Sequence, residues 1–335
     1  MTTRIREDVA MAMRIVALGG TGFLSSAVVE AARAAGHDVV VVSRGERGAP
    51  PDDVTWVRAD RDDPAALAEA TAHLRPDAVI DSCGYTVAGA HAAARAFAGV
   101  ASYVYVSSIS AYRGWPPGPV RSEDDPLFTA EDDLEDYGPM KAESERVLSA
   151  AVRGAGGAFV AARAGLIVGP RDRARRLTSW LARIARDERV AVPDALDQPV
   201  AFVDARDLAA WLVLAAEQRL DGPFNATGPA GMSTLGGLLA LCQAVVSDGE
   251  GRAAELVPVP EDALLAAEVS PWVDLPFWLP RDVARTAWQV DTTRAHAAGL
   301  THRPLAESVA DTWAWLRTAD LEHPPLPESL VSLAR

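Results

Sequence analysis

Cysteine is scarce in this chain, and several other features that would narrow its function are absent. Cys83 and Cys242 are the only two cysteines, too few for a disulfide framework or a cysteine-based metal centre. The six histidines show no spacing typical of metal ligands, so no metal is predicted. No apolar run approaches the roughly 18 residues of a membrane span. We therefore expect a cytoplasmic protein without membrane contact.

The amino terminus lacks the pattern of a secretory signal, because "MTTRIREDVAMAM" carries two acidic residues and no apolar run. Residues 1–12 are interpreted as an N-terminal tail without an assigned function.

Positive charge is also in short supply. The sequence has 32 lysines and arginines against 46 aspartates and glutamates, a net charge of −14. A surface of this charge repels a phosphate backbone, so nucleic acid is not predicted as a partner. The expected partner is a small-molecule substrate.

Strand-like and helix-like segments alternate through the first half of the chain. Apolar segments typical of strands lie at 14–18, 37–43, 54–58, 77–81, 102–108 and 158–164. Alanine-rich segments typical of helices lie at 23–35, 64–73 and 86–98. This order predicts an α/β fold of the Rossmann type, a doubly wound parallel sheet covered by helices on both faces.

The second half has a different character and predicts a second, smaller domain. Residues 13–165 are assigned to a dinucleotide-binding Rossmann domain, to which 199–226 returns. A smaller C-terminal substrate-binding lobe is assigned to 166–198 and 227–335, which include the proline- and tryptophan-rich stretch 270–280. We expect this lobe at the carboxyl edge of the sheet, where open α/β sheets bind ligands.

A glycine-rich turn follows the first strand. "RIVALGGTGFLSS" places Gly19, Gly20 and Gly22 between a strand and a helix, the context that a dinucleotide-binding loop requires. Glycines permit the tight turn and let backbone N–H groups approach a pyrophosphate at the positive end of a helix. Ser25 stands where a third glycine is usual, which predicts a slightly displaced helix with retained binding.

The end of the second strand bears on the choice of cofactor. Ser43 and Arg44 stand where a carboxylate would bind the ribose 2′-hydroxyl of NAD. A guanidinium beside a hydroxyl suits a 2′-phosphate, so NADP(H) is favoured over NAD(H). The alternative is that Arg44 is only a solvated loop charge.

Further acidic and basic side chains follow the third strand. Asp60 and Arg61 stand where the adenine ring would lie, and a cofactor contact or an ordinary loop role fits them equally well. Asp62 and Asp63 are interpreted as caps of the helix that Pro64 begins.

A tyrosine, a lysine and a serine predict the chemistry. Tyr137 and Lys141 are four residues apart in "YGPMK", so a helix places them on one face. An ammonium nearby stabilises a phenolate, which lets tyrosine exchange a proton with a substrate. Ser108 ends the fifth strand and could hydrogen-bond the same substrate oxygen. Pro139 is compatible with the helix only in its first turn, which puts Tyr137 at the helix start.

Together these motifs resemble the extended short-chain dehydrogenase/reductase family, also called the NAD-dependent epimerase/dehydratase family. The resemblance covers most of residues 13–318. The segments that carry it are "GGTGFL" at 19–24, "SSISAY" at 107–112, "YGPMK" at 137–141, "ARAGLIVGP" at 162–170 and "FVDARDLA" at 202–209.

The resemblance implies roles for individual residues. It implies that Ser108, Tyr137 and Lys141 form a catalytic triad, that Lys141 also touches the nicotinamide ribose, and that the segment 81–85 lines the cofactor. The residues expected to bind the cofactor are Gly19, Thr21, Gly22, Phe23, Leu24, Ser43, Arg44, Asp60, Arg61, Ser82, Cys83, Gly84 and Lys141. It also implies a homodimer formed through helices 86–98 and 137–151, whose alanine-rich faces permit such contact.

Two departures from the family narrow the activity. Ile109, Ser110 and Ala111 follow the serine where family dehydratases that act on nucleotide sugars carry an Asp-Glu pair, so loss of water by that route lacks its acid and base. Leu166 stands where members that bind nucleotide sugars commonly have asparagine, which disfavours a sugar nucleotide.

The substrate side of the site is read from aromatic and basic side chains. The candidate substrate residues are Tyr85, Ser110, Arg176, Trp180 and Trp278. Arginines at 171–176 could bind an anionic group or form a solvated helix face. The tryptophans could cover a ring-bearing substrate or belong to the lobe core. Glu123, Asp124, Asp125 and the acidic run 131–136 are interpreted as a solvated loop before Tyr137, with a lid role left open.

The sequence thus predicts an NADP(H)-dependent oxidoreductase that interconverts a carbonyl and an alcohol on a small or medium metabolite. One alternative is an epimerase that holds NAD tightly. Another is a nucleotide-sensing family member without turnover, although this chain retains all three triad residues.

Overall fold

The fold is described from a computed structural model, in which residues 12–319, 321 and 327–334 are described. Residues 1–11 of the predicted tail lie outside the described residues, and so does His323. No helix within the described ranges is both long and apolar enough to cross a membrane.

The first half of the chain alternates strands and helices as predicted. Its elements are β1 Arg14–Leu18, α1 Phe23–Ala34, β2 Asp38–Ser43, β3 Thr55–Arg58, α2 Pro64–Thr71, β4 Ala78–Asp81, α3 Val87–Phe97, β5 Ser102–Ser108, a 3₁₀ turn Ile109–Ala111, α4 Tyr137–Gly154 and β6 Ala158–Ala164. Each strand begins within one residue of its predicted start. Asp63 caps α2 by accepting the N–H groups of Ala65 and Ala66, and Pro64 is the first helical residue, both as predicted.

The second half mixes short strands with helices. Its elements are β7 Leu166–Val168, α5 Leu177–Arg186, β8 Arg189–Pro193, β9 Pro199–Val200, β10 Phe202–Asp204, α6 Ala205–Glu217, β11 Gly222–Ala226, β12 Ser233–Thr234, α7 Leu235–Glu250, β13 Glu255–Val259, α8 Glu261–Ala266, α9 Arg281–Ala287, α10 Thr293–Ala297, α11 Leu305–Leu316 and α12 Glu328–Leu333.

Seven strands form the central sheet in the order β11-β6-β5-β4-β1-β2-β3. β1 pairs in parallel with β2 and with β4, and β4 pairs in parallel with β5. The chain runs outward from β1 to β3 and then crosses back to β4, which creates a switch point between β1 and β4. Leu18 and Asp81, the last residues of those strands, are register partners there. The predicted doubly wound α/β fold is confirmed.

The chain divides into two compact units. Unit 1 contains the described residues up to Val106 together with Ser144–Ala161 and Ala209–Gly222. Unit 2 contains Ser107–Glu143, Ala162–Leu208 and the described residues from Pro223 onward. The sequence predicts that 199–226 returns to the nucleotide domain. In the structure β11 joins the central sheet, whereas β9 pairs with β12 and β10 pairs with β7.

The core of unit 1 includes the alanines of α3. Ala90, Ala92 and Ala93 are buried within this core, so the alanine-rich face is used inside the unit. The exposed positions of α3 include His91 and Arg95. The core of unit 1 therefore accounts for the burial of these alanines, and the homodimer stays a prediction.

The core of unit 2 is rich in aromatic side chains. Trp180, Phe277 and Trp278 are buried in one cluster with the apolar faces of α5 and α7. Buried Gln198 stabilises the backbone at Phe277, because its side-chain amide donates to the Phe277 carbonyl over 2.6 Å.

Candidate active site

The glycine turn of unit 1 has the shape of a dinucleotide cradle. Gly19 and Gly20 have φ values of +103° and +118°, a region that disfavours other residues. A Cβ at Gly20 would lie 2.6 Å from the Val41 side chain, so only glycine fits against β2. Gly22 is the N-cap of α1, whose first turn has no acidic residue. The backbone N–H groups of this helix end suit a pyrophosphate, so the residues present fit a nicotinamide dinucleotide.

Ser25, which stands in place of the usual third glycine, has a local structural role that was not predicted from the sequence. Its hydroxyl accepts the Gly22 N–H over 2.8 Å, and the side chain is buried. Serine at this position therefore caps the start of α1 from within the helix. Arg47, which the sequence analysis missed, lies beside the same turn, with Nη1 3.5 Å from the place that a Cβ of Gly22 would take.

Asp81 organises the segment that follows β4. Its carboxylate accepts hydrogen bonds from Arg61 Nη1 over 2.8 Å, from the Tyr103 hydroxyl over 2.9 Å and from the Cys83 N–H over 3.2 Å. Although burial favours the neutral form, the Asp81 charge raises the pKa of Arg61 above its usual value. The guanidinium and carboxylate are thus a buried ion pair that holds residues 81–83 beside the glycine turn.

The predicted cofactor residues Ser82 and Cys83 do meet the glycine turn. The Ser82 hydroxyl and the Cys83 Cβ lie 3.1 and 3.4 Å from the place that a Cβ of Gly19 would take. Gly84 is buried, and a Cβ there would lie 2.4 Å from the Tyr105 ring. Tyr85 is 63% exposed. The segment 82–84 is therefore packed at the switch point, as a cofactor-lining segment must be.

Arg44 lies at the end of β2 with its side chain half exposed. Its guanidinium lies 2.9 Å from a carboxylate oxygen of Glu46 and 3.9 Å from one of Asp60. The hydroxyl of Ser43 accepts the indole N–H of Trp56 over 3.1 Å. The arrangement leaves Arg44 accessible, although a phosphate would compete with Glu46 for it.

Arg61 is buried, whereas the Asp60 side chain is partly exposed. Its guanidinium is buried against Asp81, and its Nε and Nη2 groups have no hydrogen-bond partner within the described residues. This geometry assigns Arg61 a role in holding the β4 end. A direct contact between Arg61 and the cofactor stays a prediction.

Tyr137 and Lys141 lie together in unit 2, at the start of α4. The Lys141 ammonium is 5.7 Å from the centre of the Tyr137 ring. Tyr137 is 47% exposed, whereas Lys141 is 3% exposed. Pro139 lies in the first helical turn, as predicted. A buried cation below an exposed phenol is the arrangement that favours proton exchange at the phenolic oxygen.

Two other tyrosines and the Cys242 thiol are buried and unsuited to act as a base or a nucleophile. Burial raises the pKa of Tyr103 and of Tyr105 far above the usual value, with Asp81 adding to the effect. Tyr112 is also buried. Burial raises the pKa of the Cys242 thiol to about 12. Tyr103, Tyr105 and Cys242 stay protonated near neutral pH, so none of the three supplies a base or a thiolate nucleophile.

Ser108 ends β5 with its side chain turned toward the 3₁₀ turn that follows. Its hydroxyl oxygen accepts the Ser110 N–H over 3.1 Å, and the residue is 7% exposed. The hydroxyl hydrogen can therefore donate to a substrate oxygen. Ser110, predicted to face the substrate, is partly buried.

The predicted substrate residues of the lobe fall into two groups. Trp180 and Trp278 are fully buried in the core of unit 2, and the Trp180 indole N–H donates to the Pro276 carbonyl over 2.9 Å. Their burial assigns them to packing, which corrects the interpretation of these two tryptophans as a cover over the substrate. Arg176 is the N-cap of α5 and is partly buried.

Unit 2 also has an open cleft of about 640 Å³. Its lining includes the buried residues Val120, Trp288 and Val290 and the exposed residues Gln289 and Asp291. This cleft was not predictable from the sequence, because residues more than 160 positions apart line it. No group of three or more potential metal ligands occurs within the described ranges.

The burial of two charged side chains was not predicted, although the sequence carries a signal for it. Asp81 and Arg163 each stand in an otherwise apolar strand, β4 and β6. A charged residue at such a position is rarely buried without a partner. The identity of the partner depends on the fold, so the sequence shows that a partner exists without naming it.

Comparison with known proteins agrees with this geometry. The model of the NAD dependent epimerase/dehydratase family matches residues 15–96 and 83–226, more than half of the chain. The protein therefore belongs to the NAD-dependent epimerase/dehydratase family, an enzyme family of nicotinamide-dependent oxidoreductases and epimerases. The predicted family, enzyme class and need for a nicotinamide dinucleotide are confirmed.

Two solved structures share the fold. UDP-glucose 4-epimerase of Thermus thermophilus, in complex with NAD, is 22% identical with a TM-score of 0.68, over 92% of this chain and 100% of that chain. The Bordetella bronchiseptica enzyme WbmH, in complex with NAD⁺, is 21% identical with a TM-score of 0.66, over 91% of this chain and 98% of that chain.

A curated relative is more similar in sequence over a shorter stretch. The 2′-dehydrokanamycin reductase of Streptomyces kanamyceticus is 39% identical over 140 residues. That stretch is 42% of this chain and 38% of the relative. The match therefore spans less than half of either protein.

Proposed function

We propose that this enzyme is an NADPH-dependent reductase that converts a ketone to an alcohol and can run in reverse. The observation that carries the proposal is the pairing of an exposed Tyr137 phenol with a buried Lys141 ammonium. A tyrosine so placed can protonate a carbonyl oxygen as the carbon accepts hydride. The relative named as a reductase supports net reduction.

The proposed chemistry divides among three side chains. Ser108 donates a hydrogen bond to the carbonyl oxygen and orients it. Tyr137 donates its proton to the same oxygen, and Lys141 stabilises the phenolate that remains. The bound nicotinamide cofactor supplies the hydride. The sum is ketone plus NADPH plus a proton giving alcohol plus NADP⁺.

The proposed preference for NADPH rests on the end of β2. Ser43 and Arg44 stand there in place of the carboxylate that would bind a ribose 2′-hydroxyl at the end of the strand, and Arg44 is accessible. The guanidinium is the group best suited to a 2′-phosphate. Glu46 opposes this preference, because its carboxylate already pairs with Arg44.

An epimerase with tightly held NAD is the second candidate. The observation that favours it is the fold shared with two enzymes solved with NAD, one of them named as an epimerase. In that case one carbon is oxidised and then reduced again, with no net consumption of cofactor.

One experiment separates these candidates. Purified protein is denatured and the released nucleotide is identified, and NADPH and NADH are then titrated into intact protein. Protein that arrives empty and binds NADPH more tightly supports the reductase. Co-purified NAD with no net NADPH oxidation supports the epimerase. Failure to bind either nucleotide would support a degenerate family member without turnover.

We also propose that the substrate is a ketone of a cationic amino sugar. The support is the named relative together with the charge before Tyr137, where Glu131, Asp133, Glu135 and Asp136 are all exposed. Carboxylates near the site would attract ammonium groups and raise the association rate.

The substrate class is tested with 2′-dehydrokanamycin and NADPH, followed by loss of NADPH absorbance. We expect kcat/KM to fall as ionic strength rises, because screening weakens the attraction. An uncharged keto sugar is the matched control and should show little dependence on salt. Equal salt dependence for both ketones, or turnover of the uncharged ketone alone, would contradict the substrate class and leave the reductase proposal standing.

The assembly and location are proposed as predicted from sequence, a homodimer in the cytoplasm with no nucleic acid or membrane partner. The net charge of −14 supports the absence of nucleic acid. Sedimentation of the purified protein measures the assembly directly, and a monomer at micromolar concentration would contradict it.

A further inference from the structure

We infer that Tyr112 and Arg163 are positioning residues for the reaction at Ser108 and Tyr137. The inference rests on the proposed function. Both residues are buried, and neither belongs to the triad. They hold the far end of the 3₁₀ turn that begins directly after Ser108, and that turn lies against the start of α4.

The first step is a chain of hydrogen bonds from Arg163 through Tyr112 to Asn225, in which the donor of each bond is determined. Arg163 Nη1 donates to the Tyr112 hydroxyl over 2.9 Å. Because a guanidinium can only donate, the Tyr112 hydrogen goes to its other neighbour, the Asn225 side-chain oxygen 2.7 Å away. This fixes the orientation of the amide, whose nitrogen donates to the Asp291 carbonyl over 2.8 Å.

The second step is that the buried charged groups of this chain, Arg163 and Glu123, have hydrogen-bonding or ionic partners. Arg163 also donates to the Glu123 carbonyl over 2.8 Å, and its guanidinium lies 4.8 Å from the Tyr112 ring centre. The Glu123 carboxylate accepts the Asn225 N–H over 3.0 Å and lies 3.5 Å from Arg294 Nε. Glu123 is only 7% exposed, so its interpretation as a solvated loop residue is wrong. A buried network in which each member depends on the next resists displacement of any one of them.

The third step connects the network to Ser108. The Tyr112 N–H donates to the Ile109 carbonyl over 3.2 Å and closes the turn. At the other end of the turn the Ser110 N–H donates to the Ser108 hydroxyl oxygen. The Phe128 N–H donates to the Ala111 carbonyl over 3.1 Å. Anchoring Tyr112 therefore limits the movement of the whole turn, including the hydroxyl of Ser108.

The fourth step is the contact between this turn and α4. A Cβ at Gly138 would lie 2.4 Å from the Ser110 carbonyl oxygen and 3.0 Å from the Phe128 ring. Gly138 directly follows Tyr137, so the turn rests on the backbone next to the catalytic phenol. The spacing of the two catalytic hydroxyls thus depends on how firmly Tyr112 holds the turn.

The test is Tyr112→Phe, which keeps the ring and removes the hydroxyl. In the reductase assay described above we expect kcat to fall about ten- to a hundredfold at saturating NADPH and ketone, because misplaced catalytic groups lose transition-state stabilisation. NADPH affinity should stay within about twofold, since the glycine turn is unchanged. Arg163→Lys keeps the cation and a single donor nitrogen and should retain more activity than Arg163→Met.

A double-mutant comparison separates positioning from simple destabilisation. If Tyr112 acts through the catalytic tyrosine, adding Tyr112→Phe to Tyr137→Phe should cost less than about threefold further in kcat. If Tyr112→Phe only reduced the amount of folded protein, it would lower kcat by the same factor in the wild type and in Tyr137→Phe. Ser308→Ala is the matched control, because it removes a buried hydroxyl that donates to Asp204 over 2.7 Å in the same unit. It should lower the unfolding temperature and leave kcat unchanged.

Two further measurements test the inference independently if Tyr112→Phe folds poorly. Gly138→Ala presses on the same turn from α4 and should lower kcat in the same way. Hydrogen exchange in residues 109–113 needs no substrate and should be faster in Tyr112→Phe than in Ser308→Ala.

Several outcomes overturn the positioning inference. They are wild-type kcat in Tyr112→Phe and Gly138→Ala, equal losses in both backgrounds, or unchanged exchange in residues 109–113. If Tyr137→Phe itself keeps wild-type turnover, the proposed function fails instead, so the two failures are distinguishable.

Discussion

The two units use left-handed backbone in different ways. In unit 1 the cofactor turn has Gly19 and Gly20 at positive φ, where a side chain would be strained. In unit 2 the segment 270–280 has Trp272 and Phe277 at φ values of +69° and +71°. Packing sustains these conformations, since Phe277 is buried and Trp272 stacks on Trp288 with ring centres 5.6 Å apart. A glycine turn is visible in a sequence, whereas a turn held by packing is not.

The candidate sites of the two units differ in the sequence separation of the buried hydrogen bonds that support them. In unit 1 the Arg61–Asp81 pair joins residues 20 positions apart. In unit 2 the bond from Tyr112 to Asn225 joins residues 113 positions apart. The site of unit 1 is thus built from neighbouring strand ends, while the site of unit 2 depends on distant parts of the chain. The following predictions test that difference.

The largest effect is expected for Tyr137→Phe in unit 2. Removal of the phenolic hydroxyl should lower kcat about 10²- to 10⁴-fold, the usual contribution of a general acid. NADPH affinity should change little, because the change leaves the glycine turn intact. Steady-state kinetics and a nucleotide titration measure the two quantities, and near-wild-type turnover would contradict the role of Tyr137.

The next largest effect is expected for Asp81→Asn in unit 1. The substitution leaves the buried Arg61 charge uncompensated and turns an amide nitrogen toward a donor, so the free energy of unfolding should fall by about 3–5 kcal/mol. Asp38→Asn is the matched control on β2, because the Arg14–Asp38 pair is exposed. That control should cost less than about 1 kcal/mol. Denaturant unfolding measures both values. Similar losses of unfolding free energy in the two variants would contradict the larger contribution expected of the buried pair.

A smaller effect on cofactor choice is expected at the end of β2. Arg44→Ser should weaken NADPH binding about tenfold and leave NADH binding unchanged, because it removes one charge-assisted contact to the 2′-phosphate. Glu46→Gln should strengthen NADPH binding, since it frees Arg44 from its carboxylate partner. Arg58→Ser, which removes an arginine stacked on Trp56, is the control. Parallel changes in NADH and NADPH binding would contradict Arg44 as a phosphate ligand.

The smallest effect is expected at the histidine pair of unit 2. Burial lowers the pKa of His302, and the neighbouring His296 adds to this while Asp207 opposes it. The folded protein therefore binds this proton less readily than the unfolded chain. Stability is fully present above the usual value of 6.5 and declines as pH falls below it. His302→Gln should flatten this part of the stability–pH curve, and an unchanged curve would contradict the assignment.

Much of the fold was predictable because its signals are local. The strands from β1 to β6 are apolar runs with clear ends, and the predicted starts were within one residue of those observed. The start of α4 was predicted from Pro139, whose ring restricts it to a first helical turn. The sequence left two alternatives for Trp180 and Trp278, a substrate cover or the lobe core, because an apolar side chain is equally suited to both. Their burial favours the core.

The sequence by itself determined the order of strands and helices, the glycine turn, and the four-residue spacing of Tyr137 and Lys141. These depend on the conformational preferences of residues within a few positions of one another. Only the tertiary structure decided which partners meet Asp81, Arg163 and Tyr112, and that the Ser108 turn rests on Gly138. The physical reason is that a buried polar group must find a partner, and chain folding alone determines which distant residue supplies it.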